Sequence, residues 1–279
     1  MAGKLAGAIT ISCMRDLGFN LNWANWLPTK VANMCTDRFQ ANSFSVKDYL
    51  IRAQGICPDR IDVVLNGVDL TKYYPPSADE KAVAKIQLGL DPSVVVIGVV
   101  ANLKPIKGLA DLIRAASVIC RTREKTHFMI VGQGPQEDEL KRQVAVLGIE
   151  DKVTFVTGCK EVVPYLRIFD ICVLCSLSEG FSNSILEYMA VGLPVVATRV
   201  GGNQEQVRDG VTGFLLPPGD SEALAKALIQ LVEGGEFRLR MAQQARQECV
   251  DRYGMDKMIV QMEEGYMRLI PLRGREIPC

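Results

Sequence analysis

Glu179 and Glu187 stand eight residues apart in the run EGFSNSILE, with Gly180, Phe181, Ser182, Asn183 and Ser184 between them. A loop that opens a helix near Ser182 leaves main-chain N–H groups unpaired. Together with the positive end of the helix dipole, those groups suit phosphate oxygens. Glu187, in the first turns of that helix, can accept two hydrogen bonds from a vicinal diol, as acidic side chains do when they hold a ribose. Glu179, in the preceding loop, then faces a sugar. For this segment alone, a solvated loop charge and a solvated helix charge are the plain alternative.

Three further turns follow apolar runs in the same way. In ANLKPIKG (101–108), Lys104 and Lys107 come between a strand-like run and an amphipathic stretch. Two ammonium groups at a helix start can neutralise a diphosphate, and two solvated lysines in an ordinary loop are the alternative. TGCKEVVPYL (157–166) opens a short helix and either offers main-chain groups to the edge of a nucleobase or is a simple connector. VGQGP (131–135) begins like a dinucleotide fingerprint but lacks its third glycine, since Gln136 and Glu137 follow Pro135. A lone GxG is weak support for NAD. Cys172 and Cys175 form a CxxC inside the apolar run IFDICVLCSL, with no second pair and no neighbouring histidine, so they read as core. The single histidine, His127, lies in a strand-like run and also reads as core.

These turns need strands before them and helices after them. Strand-like runs at 94–101, 126–132, 152–158, 171–176 and 193–199 alternate with helical patterns at 109–121, 135–148, 160–170 and 182–192. Continuous apolar strands separated by helices predict a Rossmann-like, doubly wound α/β domain with a parallel sheet covered on both faces. Its ligands would sit beyond the carboxyl ends of the strands. Pro135 suits a first helical position, with Glu137, Asp138 and Glu139 favourable to the dipole, while Gly148 and Gly192 suit helix ends. Three C-terminal helices are predicted at 220–233, 236–252 and 255–270.

Earlier residues predict a partial α/β domain, with strands at 8–12, 38–42 and 61–65 and helices near 22–34 and 45–53. Pro75 and Pro76 in DLTKYYPPSADEK break the pattern and mark a linker. The expected division is a partial N-terminal domain over 1–75, a nucleotide-sugar-type Rossmann domain over 76–254, and a last helix over 255–272 that returns toward the N-terminal domain.

The 279 residues are 48% hydrophobic and 23% charged, which suits about two domains with buried cores. Basic and acidic residues number 32 each, so no global field recruits nucleic acid and any anion site must be local. Nine scattered cysteines, an odd number too sparse for a disulfide framework, fit a reducing cytoplasm. MAGKLAGAITISCM makes a poor signal peptide and is too short to span a bilayer.

The run SLSEGFSNSILEYMAVGLPVVATRVGG (176–202) resembles the signature of glycosyltransferase family 4. The segment ending DGVTGFLLPPGD follows it in the family's order. LNGVD (65–69), VVANLKPIKG (99–108) and IVGQGPQEDELK (130–141) look like other recurrent blocks, so the resemblance covers residues 8–270. It implies the GT-B fold, in which two Rossmann-like domains face each other across a cleft. It also implies transfer of a sugar from a nucleotide diphosphate donor, UDP-sugars included, with retention of configuration and with no metal or other cofactor.

Residue by residue, the resemblance implies that Lys107 contacts the donor diphosphate, Glu187 the ribose, and Glu179, as the catalytic residue, the transferred sugar. It implies that Asn183 and Ser184 donate backbone N–H groups to the distal phosphate, while Gly180, Phe181 and Ser182, lying with them between the two glutamates, are expected from their place in the loop to present free N–H groups to phosphate oxygens as well. Gly158, Lys160 and Glu161 match the turn around the base. Asn102 stands where the family has an arginine, leaving Lys104 to supply that charge without a bidentate fork. ITISCMRDLGF (9–19) looks like a late block of the N-terminal domain, whose earlier strands and histidine are missing from this sequence; His127 cannot stand in for that histidine.

The implied acceptor is a glycan or a lipid-linked one. Trp23, Trp26 and Leu27 suit either peripheral contact with a membrane-bound acceptor or buried packing, so the expected location is the cytoplasm or the cytoplasmic face of its membrane. Two competing readings stand. One is a non-catalytic or partner-dependent nucleotide-sugar-binding fragment that needs a complementary N-terminal domain. The other is an NAD-dependent oxidoreductase, which lacks the third glycine and also an acidic residue at the end of VTFVTG (153–158).

Overall fold

The structure is a computed structural model that describes residues 6–17 and 23–269, without the side chains of 23–26. The readings on Trp23 and Trp26, on Gly18 and Phe19 and on residues 270–272 lie outside the described residues.

Two parallel sheets carry the fold. The first is three-stranded, in the order β1 (Ile11–Met14), β2 (Arg38–Ala41), β3 (Ile61–Val63), with helices α1 (Trp23–Met34) and α2 (Phe44–Gln54) in its connections. Phe39, Ala41, Val46, Leu50, Ile56 and Ile61 form its small core. Arg38 binds both carboxylate oxygens of Asp62 on the neighbouring strand, at 2.7 Å and 2.8 Å, a fork that fixes the pairing of β2 with β3. The short β1 begins at Ile11, later than the predicted start at Ala8.

The linker is shorter than expected. Ser77 accepts from the Glu80 main chain and Glu80 accepts in return from the Ser77 N–H, a capping box that starts α3 (Ala78–Gln87) where a continuing linker was predicted. Lys81 and Lys85 of α3 reach Asp170 at 2.7 and 2.8 Å, and the Val96 N–H donates to the same carboxylate at 2.8 Å. Burial alone would raise the Asp170 carboxyl, but the two ammonium groups outweigh it and hold it below its ordinary value.

The second sheet has six parallel strands: β4 (Val95–Val100), β5 (Thr126–Val131), β6 (Val153–Val156), β7 (Ile171–Leu174), β8 (Val195–Thr198) and β9 (Gly213–Leu216). Their spatial order is β6-β5-β4-β7-β8-β9. Helices α4 (Leu109–Cys120), α5 (Glu137–Leu147) and α9 (Ser221–Glu233) cover one face. Helices α7 (Asn183–Ala190) and α10 (Gly235–Arg252) cover the other. Two short helices, α6 (Val163–Leu166) and α8 (Asn203–Gln206), lie in loops, and α11 (Met255–Leu269) ends the described chain. Strand β9 was not anticipated, because its four residues sit inside the glycine- and proline-bounded turn GFLLPPGD. The helix predicted over 160–170 shrinks to α6, since Asp170 is drawn into the clamp with Val96. Pro135 precedes α5 instead of opening it, and Gln136 is the cap.

Cys172 packs in the core under α7 and Cys175 in the core under α4, so the CxxC thiols lie on opposite faces of the sheet. Burial pushes both up, Cys175 to about 12. His127 is buried and shares a 2.8 Å hydrogen bond with Thr154, and burial keeps its imidazole below its ordinary value.

Candidate functional site

The chain lays β5 and β6 on one side of β4 and then returns to place β7 on the other. A crevice opens at such a reversal, outside the carboxyl ends of the two central strands. The loops after β4 and β7 border it and bind each other closely: the Leu177 N–H donates to the Ile106 carbonyl at 2.8 Å, and the Cys175 thiol donates to the Lys107 and Gly108 carbonyls at 3.3 Å.

This contact brings Lys107 Nζ to 2.5 Å from Glu179 Oε1 although 72 residues separate them. Ser176, fully buried, donates its hydroxyl to the same Oε1 at 2.6 Å. Glu179 Oε2 has no partner among the described residues. One carboxylate oxygen is thus pinned by a cation and a hydroxyl, and the other is open. The plain alternative of a solvated loop charge does not hold for Glu179, whose side chain is 11% exposed. Lys104 is exposed and heads the helical turn Pro105–Lys107.

Helix α7 begins beside this pair. Ser182 caps it, accepting from the Ile185 N–H at 3.4 Å, and the first-turn N–H groups of Asn183 and Ser184 have no partner among the described residues. The expectation that Ser182 offers a free N–H is corrected: Gln206 Oε1 takes it at 3.0 Å while Gln206 Nε2 donates to the Ser182 carbonyl at 2.7 Å. Phe181 is a packing residue, edge-on to Tyr253 with ring centroids 6.0 Å apart. Gly180 is buried where the two sheets meet. A side-chain carbon there would lie 2.3 Å from the Arg15 carbonyl oxygen, so only glycine fits. Its own carbonyl accepts from Ser43 at 2.9 Å and from the Gly202 N–H at 3.0 Å.

Beside the α7 start lies an open cleft of about 380 Å³. Asn102, Gly132, Gly158, Ser184 and Glu187 are among the residues that line it. Tyr73 donates to Glu187 Oε1 at 3.2 Å, and Lys72 pairs with the exposed Glu161 at 2.9 Å. Burial raises the Glu187 carboxyl above its ordinary value, against the lowering influence of Tyr73 and Lys72. Lys160, next to Glu161, is exposed. The glycines of the GxG turn have a local reason: side-chain carbons at Gly132 and Gly134 would lie 1.9 and 2.6 Å from the carbonyl oxygens of Ala101 and Leu103. They let two loops touch and need no dinucleotide to explain them.

Several residues at the site were not singled out in the sequence. Ser176 lies inside the quoted motif, and Asn66, which donates to Asn183 Oδ1 at 2.8 Å, lies inside LNGVD. Glu205 accepts from the Phe44 and Ser45 N–H groups at 2.9 and 2.7 Å, capping α2 from the other domain. Tyr73 belongs to the stretch read only as linker. Position in recurrent blocks was the available signal for the first two.

Two Rossmann-like units whose strand ends converge on Gly180, with cations, a carboxylate and a helix start at the switch point, define the GT-B class of nucleotide-sugar proteins. The chain belongs to the glycosyl transferases group 1 family, whose model matches residues 80–248. It is 38% identical over 206 residues to the D-inositol 3-phosphate glycosyltransferase of Rhodococcus jostii (strain RHA1), covering 71% of this chain and 45% of that one. Similarity to the N-acetyl-alpha-D-glucosaminyl L-malate synthase of Bacillus anthracis is 30% over 206 residues, or 74% and 53% of the two chains. The chain thus spans about half the length of the curated relatives it matches. Among solved structures, Anabaena HepE in complex with UDP-glucose superposes with a TM-score of 0.88 at 27% identity, over 96% of this chain and 74% of that one.

Proposed function

We propose that this chain carries the donor site of a retaining glycosyltransferase that moves a sugar from a nucleotide diphosphate, UDP being the first to try, to a glycan or lipid-linked acceptor. The Lys107–Glu179 pair beside the start of α7 is the observation that carries this reading. Lys107 meets the diphosphate, and the N–H groups of Asn183 and Ser184 meet its distal phosphate. Glu179, through its open oxygen, meets the transferred sugar, and Glu187 meets the ribose. The Gly158–Glu161 turn borders the base, and Lys104 lends charge from the loop edge. Similarity to HepE, solved with UDP and with UDP-glucose, supports the donor class.

As the bond from the sugar to the diphosphate breaks, positive charge and fixed N–H groups stabilise the departing oxygen while the acceptor hydroxyl attacks the same face and gives up its proton to that departing oxygen. Cations and a helix start take the part a metal ion plays elsewhere. Cytoplasmic residence belongs to the same proposal; none of the described helices is long and apolar enough to cross a membrane.

A partner-dependent binding fragment is the second reading. Lys107→Ala and Glu187→Ala should each weaken UDP binding by at least about tenfold in calorimetry. Unchanged affinity in both sinks the donor site. Donor hydrolysis or transfer by the chain alone separates the two readings, since a pure binding fragment turns nothing over.

A further inference from the structure

The connection between the two domains does more than join them. Asp69 Oδ1 accepts the Thr71 N–H at 2.9 Å, the Thr71 hydroxyl at 2.6 Å and the Lys72 N–H at 3.2 Å, while the Tyr73 N–H donates to the Asp69 carbonyl at 2.9 Å. This tight turn is tied down on two sides. Arg246 donates to the Tyr73 carbonyl at 3.1 Å, and Lys72 reaches across to Glu161 at 2.9 Å. The half-buried Tyr73 ring packs against the core under α7. From that fixed base its phenol reaches Glu187 Oε1, 114 residues further along the chain, on the wall of the cleft.

We propose that Tyr73 is a positioning residue of the ribose subsite: its phenol holds Oε1 of Glu187 so that Oε2 is presented to the ribose diol. The connection thereby becomes one wall of the donor site. This rests on Glu187 as the ribose ligand. A carboxylate already fixed loses less rotamer freedom when the ligand arrives. The titratable and charged groups around Glu187 are Tyr73 and Lys72 on the connection, Asp69 and Glu161 beyond them, and Tyr188 on α7, whose hydroxyl is engaged by Val100 at 2.7 Å. Loss of the phenol removes a group that favours the ionised carboxylate, so the variant should suffer most toward acid pH.

Tyr73→Phe keeps the ring and its packing and deletes only the hydroxyl. UDP, GDP and ADP are titrated calorimetrically, and the tightest is carried forward with its dideoxyribose analogue and inorganic pyrophosphate. The expected result is about fivefold weaker nucleotide binding. Pyrophosphate affinity stays unchanged, and the preference for ribose over dideoxyribose shrinks by the same factor, more so as pH falls. Unaltered ribose preference, tighter binding, or an equal loss for all three ligands overturns the role of Tyr73. If the unmodified protein binds none of the nucleotides, the donor-site reading falls and this proposal with it.

Discussion

At the scale of single residues, the two glutamates of EGFSNSILE occupy different environments. Glu179 shares one oxygen between a lysine and a buried serine, whereas Glu187 sits at the cleft wall with only a phenol for a direct partner. Burial therefore dominates Glu187 and raises its carboxyl above 4.5. A raised carboxyl stabilises the fold fully below the unfolded value and loses that contribution as pH rises through the folded value. Glu187→Gln, which keeps an acceptor for Tyr73 but carries no charge, should melt higher than the natural protein at neutral pH. The gap should close as pH falls below 4.5, and melting curves over that range check it. Sequence spacing together with the family resemblance nominated both glutamates. It gave no means to foresee their partners, because Lys107 and Tyr73 arrive from segments 72 and 114 residues distant.

At the scale of elements, the start of α7 is a joint as well as a ligand-facing end. Gly180, just before its Ser182 cap, sits under the Arg15 carbonyl, and Ser43 and Glu205 add hydrogen bonds between the two sheets nearby. Gly180→Ala would drive a methyl group into a main-chain oxygen that cannot move alone. The expected cost is about 1–3 kcal/mol in urea unfolding, together with weaker UDP binding, since the loop carrying Glu179 must shift. Helix ends were legible where a glycine stop could be read, as in Gly148 at the end of α5, whereas the Ser77–Glu80 capping box that starts α3 lay hidden in a stretch read as linker. The shortened helix at 163–166 and the strand at 213–216 were not legible, because tertiary clamps and sheet pairing, not local propensity, set their limits.

At the scale of the whole molecule, a net charge of zero makes the proposed anion site a local construction of one lysine pair and one helix start. If those groups replace a metal ion, donor binding and turnover should survive chelation: EDTA in excess should leave activity within about twofold, and loss restored by added magnesium would contradict this part of the mechanism. The sequence by itself determined the parallel α/β class and most of the helix order, and it nominated the loop proposed to carry the chemistry, since apolar period and capping residues are local properties of the chain; α3 and the short α8 escaped it. Tertiary structure alone decided which loops meet: the order β6-β5-β4-β7-β8-β9 lays the ends of β4 and β7 side by side, and only then do Lys107 and Glu179 form a pair. It likewise decided that Tyr73 belongs to the site. Strand order and loop contact depend on packing between distant segments, and no local periodicity encodes them.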